Sequence, residues 1–450
     1  MDDQENSTLS VHDFETWEPV LRLLRAEHAE HLATPGGRVV GFIGRGGWSV
    51  PLKQMTHDAV RRVHSTLVKD DVNTVTFAVE IGAAGRTRLH ILRPSPAVEH
   101  GIGPNPGALV LVEDALPEPW RRLPDPASGA APAPSADPAL LERTLRERLP
   151  GAVGATEAEI AAAETRLGIT LPEELKALYR VTRADWADWG GDFEAASRHS
   201  KAVRCELFGL AGLYVAEAAT RECPWQRAAM EVVDTRPTAA VQGLAGSPGW
   251  IVFGDNGGGD RLAVDLTPGP QGHTGQIIKI SHEEDIGARL VADSLTDLML
   301  DRPAARTGSP ENHPPAKAAA HAYSQQSLVD SVHPGLEVLS VDMSTGQPIS
   351  IAPLTGLPRL RTLSAHPGTL ADPLEIAGLT GLEYLGLGSQ EWRVLLDANI
   401  VPRGLLAVAI NAPFDEDPLA VADLANELLA LWDRPPITLT TIEGDLGPAA

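Results

Sequence analysis

Two stretches of the chain lose all hydrophobic periodicity and fill with proline, alanine and serine. They run over residues 117–138 and 304–325. Because proline fixes φ and removes a backbone donor, such stretches are typical of semi-rigid or disordered linkers. The remainder is therefore predicted to form three domains, over residues 1–116, 139–303 and 326–450.

The first domain carries both helical and strand patterns. Apolar residues at Phe14, Trp17, Leu21 and Leu24 fall on one helical face. Residues 73–82 and 86–94 alternate apolar and polar positions on either side of a glycine-containing turn, which predicts a hairpin. We expect an α+β domain here and assign it to no family.

The last domain repeats one apolar pattern four times. Residues 335–341, 359–365, 381–387 and 404–410 align, and their leading leucines lie 24, 22 and 23 residues apart, at Leu336, Leu360, Leu382 and Leu405. Such periods resemble leucine-rich repeats, in which each stacked unit supplies one short strand. The usual asparagine of the strand-end turn is replaced by variable residues, so an ordinary β-rich domain is the alternative. A closing helix is predicted over residues 419–431.

The middle domain begins with two well-delimited helices. Thr156 and Glu159 have the spacing of a capping box, in which each side chain satisfies a free backbone donor of the first turn. Gly168 ends the first helix, and Pro172 opens the second in its first turn. Helices of this length are marginal alone, so both must pack on other elements.

A sheet follows these helices in the sequence. Strands are predicted within residues 205–216, 250–253, 261–266 and 275–283, and an amphipathic helix over residues 287–300. The second and third strands are joined by a glycine-rich turn over residues 255–260. Together these elements predict helices packed on a sheet.

The middle domain resembles a known superfamily. The pattern ExxIxxxExxLGIxLPxELKxLY, followed by WIVFGDNGGGDxLAVD and GQII, is similar to that of the SUKH (Smi/Knr-like) superfamily. The matching positions are Ile160, Glu164, Leu167, Gly168, Leu171, Pro172, Leu175, Tyr179, Trp250, Gly254, Asp255, Asn256, Gly257, Asp260, Asp265, Gly275 and Gln276. A tryptophan-rich insertion over residues 182–194 departs from the family pattern.

The resemblance implies a fold and a class of function. The superfamily includes fungal cell-wall-assembly regulators and bacterial immunity proteins of polymorphic toxin systems. It implies an α+β fold of helices packed on an antiparallel sheet, which binds proteins and performs no catalysis.

Charge restricts the class of partner. With 60 acidic against 37 basic residues, the formal net charge is −23. Nucleic-acid binding depends on lysine and arginine neutralising phosphates, so we predict no nucleic-acid partner. A basic protein partner is favoured by charge complementarity.

Composition also bears on location. The first 15 residues are acidic and polar, unlike a signal peptide, and no run of 18 apolar residues exists. We therefore predict a cytoplasmic protein with no membrane partner. Only six of the 37 basic residues are lysines, an arginine bias that suggests a bacterial source.

The glycine-rich turn is the first candidate site. Its residues Asp255, Asn256 and Asp260 flank three glycines. They could form a nest of N–H groups for an anion or an oxygen site for a hard cation. No Lys-Ser or Lys-Thr follows as in a phosphate loop, and the ligand spacing of a calcium-binding EF-hand is missing. The alternative is a simple hairpin turn with solvated acids.

The tryptophan-rich insertion is the second candidate site. Trp186 and Trp189 lie beside Asp185 and Asp188. Tryptophan is favoured at interface hot spots, so aromatics among acids could anchor a basic partner. Packing of these tryptophans into the core is the alternative.

No pattern indicates catalysis, a cofactor or a metal. His28 with His31, and His57 with His64, have helical spacing, but without a further ligand we interpret them as surface residues. No GxSxG, HExxH or CxxC motif occurs.

These observations lead to a first and a second functional hypothesis. The first is a non-catalytic protein-binding module that acts as an immunity protein and neutralises a basic toxin domain. The second is a multi-domain scaffold or regulator without a toxin partner. An enzyme within residues 1–116 is a distant third, and the sequence predicts no oligomeric state.

Overall fold

A computed structural model describes residues 9–53, 57–101, 103–126, 130–184, 189–302, 318–342 and 346–448. The chain divides into two compact units. Unit 1 comprises Met1–Ala115, Pro224–Gln226 and Lys317–Ala450, and unit 2 comprises Leu116–Cys223 and Arg227–Ala316.

The helices and strands are numbered in chain order. The first segment contains α1 (Phe14–Glu27), α2 (Ala29–Leu32), β1 (Val39–Gly44), β2 (Gly47–Ser49), α3 (His57–Lys69), β3 (Thr74–Ile81), β4 (Arg86–Arg93), β5 (Val98–His100) and β6 (Pro106–Val110). The middle segment contains α4 (Glu118–Arg121), α5 (Pro138–Arg148), α6 (Glu157–Leu167), α7 (Glu173–Val181), α8 (Phe193–Val203), β7 (Glu206–Leu207), β8 (Tyr214–Val215), α9 (Trp225–Ala228), β9 (Trp250–Asp255), β10 (Arg261–Asp265), β11 (Gln276–Ile280), β12 (Arg289–Ala292) and α10 (Leu295–Met299). The last segment contains β13 (Ala319–Ala322), α11 (Gln325–Ser331), β14 (Val338–Val341), β15 (Thr362–Ala365), β16 (Tyr384–Leu387), α12 (Ser389–Asp397), β17 (Ala407–Ile410), α13 (Pro418–Ala430) and β18 (Thr438–Asp445).

The first sheet of unit 1 joins the two ends of the chain. Its order is β18-β4-β3-β1-β2, and every neighbouring pair is antiparallel. The predicted hairpin is confirmed as β3 and β4. Trp17 of α1 packs on the sheet, with its ring centroid 5.3 Å from that of Phe77 in an edge-to-face contact. The outer strand β18, which the sequence analysis did not predict, comes from the far end of the chain.

The second sheet of unit 1 contains the repeated pattern. Its order is β13-β14-β15-β16-β17-β6-β5, with β13 to β17 parallel and β6 antiparallel to both its neighbours. Each of the four predicted repeats supplies one strand, β14 to β17, and the helix α13 follows as predicted. The leading leucines Leu336, Leu360, Leu382 and Leu405 lie in one buried cluster. The likeness to leucine-rich repeats itself stays a prediction.

The two segments that the sequence treats as separate domains therefore share both sheets of unit 1. Strand β18 follows β17 in the chain but pairs with β4, while β6 of the first segment pairs with β17. These pairings satisfy the backbone groups of strands that would otherwise be exposed sheet edges.

A buried charge cluster lies between the first two repeats. Glu337, just before β14, is 2% exposed, and its carboxylate pairs with Arg359 and Arg361. The Arg361 guanidinium is itself buried, with its Nε 3.5 Å from Glu337 Oε2. A charge removed from water in this way needs a partner of opposite sign to remain in the core.

Unit 2 packs helices on one antiparallel sheet. The order is β12-β11-β10-β9-β7, and β8 also pairs with β9. The capping box of α6 is confirmed, because the Thr156 N–H donates to Glu159 Oε2 at 2.7 Å and the Glu159 N–H donates to Thr156 Oγ1 at 3.2 Å. Gly168 ends α6 in the left-handed conformation, with a φ of 68°. Helices α5, α6 and α7 contribute to the core below the sheet.

The predicted amphipathic helix over residues 287–300 is wrong. The first part forms the strand β12, and only the short helix α10 follows, capped by the Ser294 hydroxyl. Strand β12 pairs with β11, so tertiary hydrogen bonding overrides the local helical pattern. The Glu174 carboxylate accepts the Leu295 and Thr296 N–H groups at 3.2 and 3.0 Å, which further fixes the start of α10.

The described part of the proline-rich stretch 117–138 packs on the rest of unit 2. Trp120 is 7% exposed, and its indole N–H donates to the Arg221 carbonyl at 2.8 Å. The Asp125 N–H donates to Gln242 Oε1 at 2.9 Å. The sequence predicts a spacer here, but the buried Trp120 holds this stretch against the rest of unit 2. The second predicted linker, 304–325, lies mostly outside the described residues.

In the part of the chain that the structure describes, no helix combines the length and the apolar character needed to cross a bilayer.

Replacing Arg361 with methionine tests the buried charge cluster. We expect Arg361→Met to lower the free energy of unfolding by about 3–5 kcal/mol, because Glu337 loses a buried counter-charge. The control Arg393→Met breaks the exposed 2.7 Å pair with Glu427 and should cost less than about 1 kcal/mol. Urea unfolding measures both, and equal losses would contradict the role of burial.

Candidate functional site

The glycine-rich turn joins β9 to β10 and is held by one asparagine. Asn256 Oδ1 accepts the N–H groups of Gly258 at 2.8 Å and Asp260 at 3.1 Å, and its own N–H donates to the Asp260 carbonyl at 3.0 Å. Gly257 and Gly259 have φ values of 80° and 98°, which residues with a side chain rarely adopt. The turn therefore needs both the asparagine and the glycines.

The two acids of the turn are buried and paired. Asp255 accepts the Gly257 N–H at 2.6 Å and forms an ion pair with Arg261. Asp260 Oδ2 accepts from Lys279 Nζ at 2.7 Å, and its Oδ1 lies 2.9 Å from His282 Nδ1. These contacts with Lys279 and His282 hold the pKa of Asp260 well below its usual range.

This geometry limits what the turn can bind. Its side-chain oxygens already accept the N–H groups of Gly257, Gly258 and Asp260, which an anion-binding nest would need. Its carboxylates are not solvated, because Asp255 and Asp260 are 7% and 8% exposed. The glycine-rich segment thus forms a hairpin turn, as the alternative interpretation predicts, but its acids are buried and paired instead of solvated. Partner binding by Asp255, Asn256 and Asp260 stays a prediction.

Three residues that the sequence analysis did not select complete this network. Arg261 follows the turn directly, whereas Lys279 and His282 come from β11 and the residues after it. The register of β10 with β11 places Leu262 opposite Lys279 and so brings the amine to the turn. Arg261 was visible in the sequence directly after the turn, but its pairing with Asp255 and the contribution of β11 depended on strand pairing.

A third buried carboxylate of this hairpin lies at the opposite end of β10. Asp265 is fully buried and accepts from the Thr267 N–H and from Gln276 Nε2, both at 2.8 Å. Gln276 also donates to the Ala240 carbonyl at 2.7 Å. Burial raises the pKa of Asp265 to about 6, against the lowering effect of these hydrogen bonds. The motif residues Asp265 and Gln276 thus form a structural network.

The structure describes only one residue of the tryptophan-rich candidate site. Asp185, Trp186 and Asp188 lie outside the described residues. Trp189 is half-buried and packs against His199 in a tilted arrangement, with ring centroids 4.9 Å apart and an interplanar angle of 48°. His199 is buried, and its Nε2 lies 2.8 Å from Thr182 Oγ1. Trp189 therefore partly covers a buried histidine and leaves part of its ring accessible.

An exposed aromatic residue next to Trp189 was missed from the sequence. Phe193 is the first residue of α8 and is 79% exposed. Asp192 caps this helix by accepting the Glu194 N–H at 2.8 Å, which fixes the position of the ring at the helix start. The sequence signal was an apolar residue directly after a capping aspartate, where it falls outside the buried face.

Three of the four paired histidines of unit 1 lie close to backbone carbonyls, and the side chain of the fourth, His57, lies outside the described residues. His28 Nε2 lies 2.5 Å from the Pro51 carbonyl, and His31 Nε2 lies 2.8 Å from that of Arg38. His64 Nε2 lies 3.3 Å from the Arg45 carbonyl. Within the described residues no group of three His, Cys, Asp or Glu side chains is arranged to hold a metal ion.

Comparison with known proteins assigns the middle of the chain. Residues 154–301 match the model of the SMI1 / KNR4 family (SUKH-1). This range contains α6 to α8, the glycine-rich turn and the Asp265 network. Residues 154–301 therefore form a SMI1/KNR4 (SUKH-1) domain, as the sequence motifs predicted.

Curated relatives match over parts of their length. A "Glucan synthesis regulatory protein" of Neurospora crassa is 41% identical over 69 residues, 15% of this chain and 13% of that protein. A "Cell wall biosynthesis/cell cycle regulator smi1" of Schizosaccharomyces pombe is 28% identical over 167 residues, 33% of this chain and 31% of that protein. A "KNR4/SMI1 homolog 2" of Debaryomyces hansenii is 40% identical over 64 residues, 14% of this chain and 11% of that protein. The chain thus spans less than a third of the length of these relatives.

Removing the asparagine of the turn should destabilise unit 2. Asn256→Ala leaves the Gly258 and Asp260 N–H groups without their acceptor, and we expect a loss of about 1 kcal/mol in the free energy of unfolding. The control Glu283→Ala truncates an exposed side chain and should change it by less than about 0.5 kcal/mol. Chemical unfolding of both variants measures this, and indistinguishable midpoints would contradict it.

The raised pKa of Asp265 makes a signed prediction for pH. The folded state holds this proton more tightly than the unfolded state, so the contribution is fully favourable below the usual value of 3.8 and is lost as pH rises to about 6. Between pH 4 and 7, wild type should lose up to about 3 kcal/mol of stability relative to Asp265→Asn. Urea unfolding across this range measures the difference, which a pH-independent offset would contradict.

Proposed function

We propose that this chain is a non-catalytic regulatory protein that acts by binding other proteins through its SMI1/KNR4 domain. The observation that carries the proposal is the match of residues 154–301 to this family. Two of the relatives are named as regulators, one of glucan synthesis and one of cell wall biosynthesis and the cell cycle. Since residues 154–301 are the part of the chain that the family model matches, we assign the proposed regulatory role to this domain.

The start of α8 supports this proposal with a surface suited to protein contact. Phe193 is 79% exposed, and Trp189 lies four residues before it with part of its ring accessible. Large aromatic residues bury much area at little entropic cost and are frequent interface anchors. The contact of Trp189 with His199 limits the rotation of the indole, so less conformational freedom is lost on binding.

The parallel strands of unit 1 support a scaffold role beside that domain. We propose that β13 to β17 are a short leucine-rich-repeat-like solenoid. Repeats of this kind provide extended binding surfaces that are built from neighbouring units. A second binding unit in the same chain suits a protein that brings partners together.

An immunity role is the second candidate function, and net charge favours it. The formal charge of −23 would attract a basic toxin domain and speed its association. A cytoplasmic location fits both roles. The two functions share the binding step and differ in the partner and in what binding does to it.

Aromatic variants of the full chain test the binding step. Quantitative cross-linking in the cells that produce the protein would compare wild type with Trp189→Ala/Phe193→Ser. We expect at least one partner to be lost from the double variant and, once purified, to bind it at least about tenfold more weakly than wild type. The matched control is Phe414→Ser, which removes an equally exposed ring, 73% accessible, from unit 1.

The outcomes separate the candidates. A partner that depends on the aromatic pair and has no toxic activity supports the regulatory role. A basic partner that stops growth when expressed alone, and no longer does so when this chain is co-expressed, supports the immunity role. The same partners at the same yield in all three samples would contradict the proposed contact surface.

A further inference from the structure

A small cavity in unit 2 adjoins the glycine-rich turn. It measures about 250 Å³, and its lining includes the apolar residues Ala216 and Ile280. Gly259 and Arg261 of the hairpin, together with His282 and Arg221, also line it. The cavity is lined entirely by residues of unit 2, within the SMI1/KNR4 domain. The family motif therefore contributes directly to its wall.

The cavity wall contains a guanidinium group in a poorly solvated place. Arg221 Nη1 donates to the carbonyls of Gly287 at 2.9 Å and Ala245 at 3.3 Å, and its Nη2 donates to that of Ser281 at 3.2 Å. Its Nε is buried and has no hydrogen-bond partner among the described residues. Carbonyl dipoles do not neutralise a full charge, so among the described residues the group is left without a close counter-ion.

The acidic residues near Arg221 do not compensate for the burial of its charge. Burial lowers the pKa of Arg221 more than Asp285, Glu284 and Glu231 raise it. Asp285 is itself held by Arg227 at 2.7 Å. Of the described residues that line the cavity, none is an acid.

The rest of the lining also suits a negatively charged group. Arg261 also lines the cavity, with its guanidinium 5.7 Å from the Phe208 ring centroid. The same guanidinium forms an ion pair with Asp255. Tyr214, whose side chain carries a hydroxyl group, belongs to the same lining. Guanidinium groups with hydroxyls are the usual donors to carboxylates and phosphates.

We propose that this cavity binds an oxyanion, the carboxylate or phosphate group of a small ligand, with Arg221 as its counter-charge. The volume lies below the roughly 300–1,000 Å³ typical of pockets for drug-sized ligands, so it suits one such group with a few attached carbons. Arg261 provides a second positive charge beside the anionic group, and the apolar lining residues contact the attached carbons of the ligand. This site is separate from the aromatic surface of α8, and neither proposal depends on the other.

Gly259 leaves room for the His282 imidazole beside the turn. A Cβ at this position would lie 3.2 Å from His282 Nδ1, closer than ordinary contact, and its φ of 98° disfavours any side chain. The third glycine of the turn thus lets His282, which lines the cavity, reach Asp260 without a clash. This requirement goes beyond that of the hairpin itself.

Calorimetric titration of the full chain tests the site. The probes are inorganic phosphate and N-acetylglutamate at constant low ionic strength, with methylammonium chloride as a cationic comparison. We expect saturable binding of at least one anion, weakened about tenfold or more in Arg221→Met and partly retained in Arg221→Lys. The matched control Arg204→Gln removes an arginine of unit 2 that pairs with Asp301 and lies outside the cavity, so it should bind as wild type does.

The two probes distinguish the source of the anionic group. Binding of phosphate alone identifies a phosphate ligand, and binding of N-acetylglutamate alone identifies a carboxylate ligand. If Arg221→Met fails to fold by circular dichroism, Arg261→Gln provides the second variant, with an expected loss of about threefold or more. Absence of saturable binding of either anion to wild type, or equal binding by wild type and both cavity variants, would overturn the proposal.

Discussion

The hairpin between β9 and β10 depends on neutralising two carboxylates that it cannot expose. Asp255 and Asp260 stand at either end of the turn, with only four residues between them, and both are buried. Arg261 forms an ion pair with Asp255, and Lys279 and His282 pair with Asp260. Because the amine and the imidazole come from β11 and its extension, this charge balance also fixes three strands relative to one another. Removing a carboxylate from water without such partners would cost more than the turn contributes.

This balance changes how the acidic character of the chain bears on function. The three aspartates of the family motif are all paired inside the domain. Their partners are Arg261, Lys279, His282, Thr267 and Gln276. The net charge of −23 therefore acts through other acidic residues, as a long-range field that favours basic partners. The cavity beside the turn has the opposite local character, with arginines on its wall. An acidic protein can thus hold an anion at one point and attract a cationic protein elsewhere.

Unit 1 shows a comparable dependence on distant residues. Strand β18 pairs with β4 over eight residues, and β17 pairs with β6. The order of the chain gives no sign of either pairing. Both sheets pair strands of the first segment with strands of the last segment. Many contacts in unit 1 therefore join residues that are far apart in the sequence. Such pairings cost loop-closure entropy, which only the completed sheets and their cores repay.

The sequence by itself determined the local elements of the middle segment. The capping box at Thr156, the left-handed Gly168 and the glycines of the turn act within a few residues, and their physics is the same in any context. The motifs around them also identified the domain of residues 154–301. The repeated leucines predicted where β14 to β17 lie, since the period of the pattern sets the spacing of the strands.

Tertiary structure alone decided the rest. The partners of Asp255 and Asp260 depend on strand register. A segment with a locally helical pattern forms the strand β12, because it pairs with β11. The burial of Trp120 holds a proline-rich stretch against unit 2. The cavity at Arg221 joins residues that are up to 68 positions apart, from Tyr214 to His282. These features arise from contacts between distant residues, whose energies a pattern along the chain does not contain.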